Sequence, residues 1–197
     1  MFNSDPVGLP GLAALFAGVA AFTIALIAAR RRRGPPDSGT QRRSRRSMIG
    51  IAIQCVAFFL VSFGVQHAML DPLSTLALAE ASIIAVLMAA TVALFVWSSR
   101  TMGKNWSVVA RTRSDHELVT TGPFAYLRHP IYTALGLFLI ALAIATGNVE
   151  RLVIGQPIYA LGAWLRIVEE EKLLRAAFGA SYEAYAGRVK RFVPGLL

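Results

Sequence analysis

The sequence predicts an all-α integral membrane protein with about five transmembrane helices: three long spans and a helical hairpin, followed by a cytosolic C-terminal helix. Two observations support this fold class. Hydrophobic residues make up 55% of the 197-residue chain and charged residues only 16%, which is far from the composition of an average soluble domain. The charges are also absent from long stretches, and roughly 20 apolar helical residues cross a hydrocarbon core about 30 Å thick.

Three charge-poor runs predict the N-terminal spans. Residues 9–29 and 48–70 carry no charge, and residues 73–99 carry only Glu80. Each run is long enough to cross a bilayer as a helix. The three spans make up a first region, residues 1–98.

The second region, residues 99–197, begins with a cytosolic segment. Two shorter apolar runs within residues 130–168 are separated only by residues 147–151, which predicts a tight helical hairpin that is either spanning or re-entrant. Apolar residues then recur at three- and four-residue spacings from 168 to 188, which predicts a cytosolic helix. Gly179 is expected to weaken the middle of this helix and to divide it.

The distribution of basic residues predicts the orientation. The Arg-rich loop 30–47, the segment 100–128 and the tail from residue 166 hold 19 of the 20 Lys and Arg, and Arg151 stands alone on the other side. Because basic loops stay in the cytosol, the N-terminus is expected outside and the C-terminus inside. We do not expect the first span to be a cleaved signal, because no basic residue precedes it and arginines follow it.

This topology also explains the net charge of +9. Cations at the membrane surface pair with anionic lipid headgroups. No nucleic-acid-binding motif accompanies them, so nucleic acid is not an expected partner. Membrane lipids are the expected surroundings, and no obligate protein partner is evident.

An unusual concentration of polar chemistry lies at residues 122–132, at the start of the first hairpin run. Arg128, His129 and Tyr132 surround Pro130, which suits the first turn of a helix. Each residue alone fits an interfacial anchor or cap. Together with the free N–H groups of a helix N-terminus, they are typical of a site for an anionic or hydrogen-bonding ligand.

A second polar cluster follows the last apolar run. Arg166 precedes three adjacent carboxylates, at residues 169–171. One interpretation is a solvated acidic face paired with nearby Lys172 and Arg175. The other is a site in which the carboxylates, at the first turn of the cytosolic helix, bind ribose hydroxyls or a cationic cofactor. Arg166 favours a site as well, because an arginine near the end of a span is costly unless it is paired or functional.

Several signatures of other sites are missing from the sequence. It has no G-x-G-x-x-G motif after a strand, no phosphate-binding Walker loop and no cluster with zinc-ligand spacing. A nucleotide-type cofactor is therefore not expected in a dinucleotide-binding unit, and no metal is predicted. The lone Cys55 is expected to be inert packing.

The ordered series of motifs from about residue 100 to 194 resembles the isoprenylcysteine carboxyl methyltransferase family and the broader group that includes phospholipid N-methyltransferases. The motifs are His-Glu-Leu-Val-Thr-Thr-Gly-Pro-Phe-Ala-Tyr-Leu-Arg-His-Pro-Ile-Tyr at 116–132, Arg-Ile-Val-Glu-Glu-Glu at 166–171, and Phe178-Gly179 with Tyr182 and Tyr185. Phe124 stands where the family usually has Tyr, and Ala134 replaces a common Gly.

The resemblance implies S-adenosylmethionine as the methyl donor, S-adenosylhomocysteine as the product, and a catalytic region at residues 99–197. Arg128 and Arg166 would face the acidic group of the substrate or the carboxylate of the cofactor. The lipid tail of the substrate would enter sideways from the bilayer. Carried over by position, the residues lining the cofactor pocket would be His116, Leu118, Val119, Gly122, Tyr126, His129, Tyr132, Glu170 and Glu171.

The function that the resemblance implies is methyl esterification of a carboxylate on a lipophilic, isoprenylcysteine-like molecule. Transfer to a phospholipid amine or to a thiol is the first alternative. An NADPH-dependent reductase related to sterol reductases is the second, and a non-enzymatic lipid-binding protein the third. The short chain and the 17 Arg against 3 Lys suggest a bacterial protein, hence an inner-membrane location with a cytosolic active site.

Overall fold

The chain folds into six α-helices and two short 3-10 turns in a computed structural model that describes residues 5–32, 44–64, 67–103 and 118–192. The helices are α1 Leu9–Arg32, α2 Arg45–Ser62, α3 Thr75–Met102, α4 Pro130–Ala145, α5 Leu152–Phe178 and α6 Ala180–Arg188. The turns are Gly122–Ala125 and Val149–Arg151. Within these ranges the only β-type pairings are two isolated bridges. The all-α prediction is confirmed.

Three of the helices can cross a membrane. Helices α1, α2 and α3 have 24, 18 and 28 residues and are apolar enough to do so. At about 1.5 Å per residue they are roughly 36, 27 and 42 Å long. Helix α4 has 16 residues, or about 24 Å. The integral membrane class is confirmed, and the number of five spans stays a prediction.

The second span is shorter than predicted. The apolar run continues to residue 70, but α2 ends at Ser62 and Phe63 is extended. Beyond it, the carbonyl oxygen of His67 accepts a hydrogen bond of 2.9 Å from the backbone N–H of Val7. Among the described residues from 63 to 70 none is helical, and the backbone of residues 67–70 pairs instead with Val7, just before α1. The prediction that the helix continues to residue 70 was wrong.

The last two long helices pack against earlier helices more than against each other. Helix α5 lies along α2, and α4 lies along α3, which also packs against α1. Small residues allow the α2–α5 contact: a Cβ built on Gly50 would lie 2.7 Å from the Gly162 carbonyl oxygen, and the reverse distance is also 2.7 Å. Close approach at small residues is a common mode of helix association in membranes.

Helix α5 extends well beyond its apolar part. The cytosolic helix predicted to begin at residue 168 is the continuation of α5 to Phe178, because no glycine or proline interrupts the chain between Gly162 and that point. Gly179 has φ +48° and separates α5 from α6, as expected. The three glutamates therefore lie inside a long helix, and the prediction that they occupy its first turn was wrong.

The helices place two groups of connections at opposite ends of the bundle. The start of α1, the α2–α3 connection and the α4–α5 turn share one end, where Asp5 N–H donates to the Gly147 carbonyl at 2.8 Å. We call it the turn end. The C-termini of α1 and α3, the N-termini of α2 and α4 and the C-terminal part of α5 share the other. We call this one the basic end, because among the described Lys and Arg only Arg151 lies at the turn end.

Candidate functional site

Two local features and one contact with the C-terminal segment determine the conformation at the start of α4. Gly122, with φ +60°, begins the turn Gly122–Ala125. Pro130 occupies the first helical position after His129, where its missing N–H is no loss. The C-terminal segment then lies alongside, since the backbone N–H groups of Arg128 and His129 donate to the carbonyls of Lys190 and Arg191 at 2.8 and 3.1 Å.

Glu171 is the centre of the polar cluster. Its side chain is 1% exposed, and Arg191 donates to its two oxygens from Nε at 2.9 Å and from Nη2 at 2.8 Å. His129 Nε2 lies 3.2 Å away. Arg175 donates at 3.3 Å, and an Arg128 nitrogen lies at 3.4 Å. A buried carboxylate with this many cationic neighbours ties α4, α5 and the C-terminal segment together.

The surroundings of Glu171 fix its charge. Burial by itself raises the pKa of this carboxyl, but hydrogen bonds from His129 and Arg191 and the nearby charge of Arg128 outweigh burial and hold the pKa well below its ordinary value. The group is therefore ionised at neutral pH.

Glu170, one residue earlier, has a different environment. Its side chain is 26% exposed and accepts a hydrogen bond from the Tyr132 hydroxyl. His129 Nδ1 lies 3.8 Å from it, and an Arg166 nitrogen lies 4.0 Å away. Glu170 is thus a carboxylate at which solvent or a ligand can arrive.

The side chain of Arg166, a residue of α5, contacts both α2 and α4. Its guanidinium stacks on the Tyr132 ring, 4.9 Å from the ring centre, and its Nη1 donates to the side-chain oxygen of Gln54 at 2.9 Å. The Tyr159 hydroxyl donates to the Tyr132 carbonyl at 2.6 Å. The amide oxygen of Gln54, a polar residue of α2, is thus bonded to the neighbouring helix α5.

The first of the three glutamates takes no part in this cluster. Glu169 accepts a hydrogen bond from the Ser44 hydroxyl at 2.9 Å and lies 3.4 Å from a nitrogen of Arg46. It joins α5 to the first turn of α2. For Glu169, the suggested pairing with Lys172 or Arg175 was wrong, because its partners are on α2, and Arg175 pairs with Glu171 instead.

Two of the predicted pocket residues lie on the α3 side of the basic end. A Cβ on Gly122 would lie 2.7 Å from the Thr101 hydroxyl oxygen. The Tyr126 ring is exposed, with its centre 6.5 Å from that of Trp97. The structure therefore brings six predicted residues into one cluster and places these two on a neighbouring face. The six are Arg128, His129, Tyr132, Arg166, Glu170 and Glu171.

The remaining predicted pocket residues precede the Gly122 turn. Leu118 and Val119 are half-buried there. His116 lies outside the described residues.

Sequence reasoning missed several partners of this cluster. Nothing in the pattern around Arg191 singled it out, because its contact depends on the return of the chain to α4. Tyr185 was named within the series of family motifs, and its hydroxyl donates to the Phe124 carbonyl at 2.7 Å. Of these partners, only Gln54 could have been found from the sequence, because a long amide side chain within an apolar run indicates a polar contact inside the bundle.

The described residues contain no group of three or more His, Cys, Asp or Glu side chains that could hold a metal ion. The carboxylates of the cluster face guanidinium, imidazole and phenol groups, so their donors and acceptors suit an organic ligand.

Comparison with known proteins tests the resemblance. The family described as "Isoprenylcysteine carboxyl methyltransferase (ICMT) family" matches residues 81–176. The predicted family resemblance is confirmed. The ICMT match includes the start of α4 and Glu170 and Glu171, whereas Gln54 and Arg191 lie outside it.

Named relatives agree with the ICMT match. The protein-S-isoprenylcysteine O-methyltransferase of Schizosaccharomyces pombe is 33% identical over 91 residues, 44% of this chain and 37% of that protein. The enzyme of the same name from Tribolium castaneum is 35% identical over 100 residues, 48% and 34% of the two chains. The nickel-cobalt-cadmium resistance protein NccN of Alcaligenes xylosoxydans xylosoxydans is 31% identical over 107 residues, 54% and 50%. The chain thus spans between about a third and a half of the length of these relatives.

A solved structure shows the same fold. The eukaryotic intramembrane Ras methyltransferase ICMT superposes with a TM-score of 0.52 at 21% identity, covering 94% of this chain and 68% of that one. The helix arrangement of this chain is therefore that of an ICMT-like membrane protein.

Proposed function

We propose that this chain is an S-adenosylmethionine-dependent methyltransferase that acts at the membrane and methylates a carboxylate on a lipophilic, isoprenylcysteine-like substrate. One observation carries the proposal. At the basic end of a membrane helix bundle, Arg166, Glu170, His129 and Tyr132 meet beside apolar helices, within the segment that matches the ICMT family. Charged groups at such a position are costly and mark functional sites.

The residues present suit the proposed cofactor. S-adenosylmethionine carries cationic groups, a carboxylate and ribose hydroxyls, and when bound it supplies a methyl group activated by a sulfonium. Glu170 is partly exposed and suits the amino group or the hydroxyls. The half-buried Leu118 and Val119 suit the apolar faces of an adenine. Gly122 and Tyr126 would complete the pocket from the α3 side.

Glu171 takes a different role in this proposal from the one that the resemblance implied. Because Glu171 is buried and bound by Arg191 and His129, we assign it the positioning of His129 and of the C-terminal segment rather than direct contact with the cofactor. Arg128, nearly buried beside it, shares this role.

The acceptor group follows from the charges. A free carboxyl has a pKa of about 3.5 and is ionised at neutral pH, so its methylation needs no base. An arginine can hold it through paired hydrogen bonds, and alignment with exclusion of water then drives transfer. Arg166 is the proposed carboxylate-binding residue, since it lies at the junction of the apolar helices and the polar cluster.

One observation favours an amine acceptor as the second candidate. An amine must lose a proton, and the imidazole of His129 lies 3.8 Å from the Glu170 carboxylate, which is an arrangement that can accept and hold a proton. A phospholipid amine methyltransferase is therefore the alternative function.

The membrane setting supports the access routes. The basic end is expected to face the cytosol, where a soluble cofactor is available, and the lipophilic tail would enter from the bilayer. We propose a bacterial inner-membrane location with the N-terminus outside, and membrane lipids and a lipidated or lipophilic substrate as partners.

Calorimetry with S-adenosylhomocysteine on the detergent-purified protein tests the cofactor. We expect saturable binding of S-adenosylhomocysteine and none of NADPH. Binding of NADPH alone would favour a reductase, and binding of neither would refute the methyltransferase proposal.

Substitution of Arg166 tests its assignment to the substrate. Arg166→Ala should reduce turnover of a carboxylate acceptor far more than affinity for S-adenosylhomocysteine. Arg188→Ala is the matched control, because Arg188 is exposed on α6 and lies outside the cluster. Equal loss of turnover and of cofactor affinity in Arg166→Ala would reassign this arginine to the cofactor.

Methyl transfer to host membranes identifies the acceptor group. Membranes supplied with methyl-labelled S-adenosylmethionine should yield a labelled lipophilic product that releases labelled methanol in mild base, as an ester does. A label that resists base would indicate an amine or a thiol acceptor.

A further inference from the structure

We propose that Gln54 of α2 is a positioning residue that orients Arg166 for an anionic acceptor and thereby favours a carboxylate substrate. This inference rests on the proposed function. It also assigns a role in the site to the N-terminal half of the chain, because Gln54 lies outside residues 81–176, the segment that matches the family.

The contact between Gln54 and Arg166 is well defined. Gln54 is 6% exposed within α2, and its Oε1 accepts a hydrogen bond of 2.9 Å from Arg166 Nη1. Because an arginine only donates, the carbonyl side of the amide must face it. A hydrogen bond to a charged group is stronger than one between neutral groups, so this contact restrains a long, otherwise flexible side chain.

The α2–α5 packing brings the two residues together. A Cβ on Gly50 would lie 2.6 Å from Arg166 Cγ, so the arginine stem crosses α2 where only a glycine leaves room. Gln54 lies one turn after Gly50 on α2, and a Cβ on Gly162 of α5 would lie 2.8 Å from its Cγ. The two glycines thus allow the approach that the hydrogen bond requires.

Each of three helices supplies a different contact to the guanidinium. Tyr132 of α4 offers its ring face at 4.9 Å, Glu170 of α5 lies at 4.0 Å, and Gln54 of α2 gives the hydrogen bond. The contact from α2 fixes direction without adding a negative charge. A carboxylate at the Gln54 position would instead bind the guanidinium in the way an acceptor carboxylate does, and would compete with it.

The experiment compares two substitutions of Gln54 in the full chain, with an S-prenylated cysteine as the carboxylate acceptor. Gln54→Met keeps the length and removes the hydrogen bond, and Gln54→Glu keeps the length and adds the charge. Cys55→Ala is the control, because Cys55 is exposed on the same helix, where the sequence had predicted that it packs. Thermal unfolding shows whether each variant folds, and affinity for S-adenosylhomocysteine, KM and kcat are then measured separately.

We expect Gln54→Met to raise KM for the carboxylate acceptor on the order of tenfold to a hundredfold, the amount that a lost hydrogen bond to a charged group produces. Gln54→Glu should raise it at least as much although the side chain can still accept the hydrogen bond. Affinity for S-adenosylhomocysteine should change by less than about threefold in both variants, a change worth under 1 kcal/mol.

Two results would overturn the inference, and they are distinguishable. If the unsubstituted protein binds S-adenosylhomocysteine and methylates the acceptor, but the folded Gln54 variants keep its KM, Gln54 does not orient Arg166. If the unsubstituted protein binds no S-adenosylhomocysteine, the proposed function fails and this inference falls with it. If a variant unfolds, Gln54→Asn replaces it. Its shorter amide weakens the hydrogen bond, so the KM for the carboxylate acceptor should still rise above that of the unsubstituted protein.

Discussion

The turn end and the basic end of the helix bundle are held together by different interactions. At the turn end, backbone groups pair with each other, as Asp5 does with Gly147 at 2.8 Å, and Arg151 caps α2 by donating to the Leu60 carbonyl at 3.3 Å. At the basic end, charged side chains bind one another, with Glu171 and Arg191 at the centre. One end closes the bundle, and the other concentrates charge around the candidate site.

The same contrast recurs within the three glutamates. Glu169 binds α2, Glu170 is partly exposed beside Tyr132, and Glu171 is buried among cations. Adjacent positions on a helix point about 100° apart, so three identical residues have three different sets of neighbours. A charged cluster in a sequence therefore does not define a single role.

Removal of the buried charge should have the largest effect. Glu171→Gln leaves Arg191, Arg128 and Arg175 near a neutral group, and loss of one partner from a buried ionic network costs about 3–5 kcal/mol of the free energy of unfolding. Thermal unfolding in detergent, followed by tryptophan fluorescence, measures it. Glu183→Gln is the control, since that side chain is 58% exposed and should cost about 1 kcal/mol or less. Equal, small losses would show that the basic end does not depend on Glu171.

A substitution at the turn end should have the next largest effect. Gly147 has φ +66°, and a Cβ there would lie 2.1 Å from the Asp5 carbonyl oxygen, so Gly147→Ala should cost about 2–4 kcal/mol through backbone strain and a clash. Gly179→Ala is the matched control, with φ +48° and nothing within 4 Å of the added carbon. It should cost about 1–3 kcal/mol, through backbone strain alone. Similar losses in the two variants would mean that Asp5 moves away at little cost.

The acid stability of the protein should depend on the basic end. The pKa of Glu171 is lowered from its ordinary 4.5 in the folded protein. Its stabilising contribution is thus complete above about pH 4.5 and is lost as the pH falls from there towards the folded pKa. Unfolding temperatures measured from pH 7 to pH 3 should fall less steeply below 4.5 in Glu171→Gln than in the unsubstituted protein. Parallel profiles would place the acid sensitivity in another group.

A pair of tyrosines on α6 should give the smallest effect. The Tyr185 hydroxyl donates to the Phe124 carbonyl, and Tyr185→Phe should cost about 0.5–1.5 kcal/mol. The Tyr182 hydroxyl is buried near Arg128 without a hydrogen bond among the described residues, and burial raises its pKa to about 12. Tyr182→Phe should therefore be neutral or slightly stabilising. Urea unfolding of the two variants compares them directly, and a larger loss for Tyr182→Phe would contradict the assigned contacts.

Some parts of the fold could be predicted because they depend on local sequence. The long apolar runs predict α1 and α3, the proline at 130 predicts the start of α4, and Gly179 predicts the break before α6. The end of α2 at Ser62 could not be predicted, because the backbone of the apolar run beyond it pairs with the segment before α1. Hydropathy reports which residues avoid water, and not whether a helix or another segment covers them.

The candidate site divides in the same way. The sequence by itself determined the membrane class, the end of the bundle that carries the charge, and the motifs from Gly122 to Tyr132 and from Arg166 to Glu171, since residue types and their order are enough for these. Only the tertiary structure decided which glutamate is reachable and that Arg191 and Gln54 complete the cluster. The physical reason is that a charge or hydrogen bond acts over a few ångströms, and only packing brings to that distance residues that are 20 positions apart, as Glu171 and Arg191 are, or 112 apart, as Gln54 and Arg166 are.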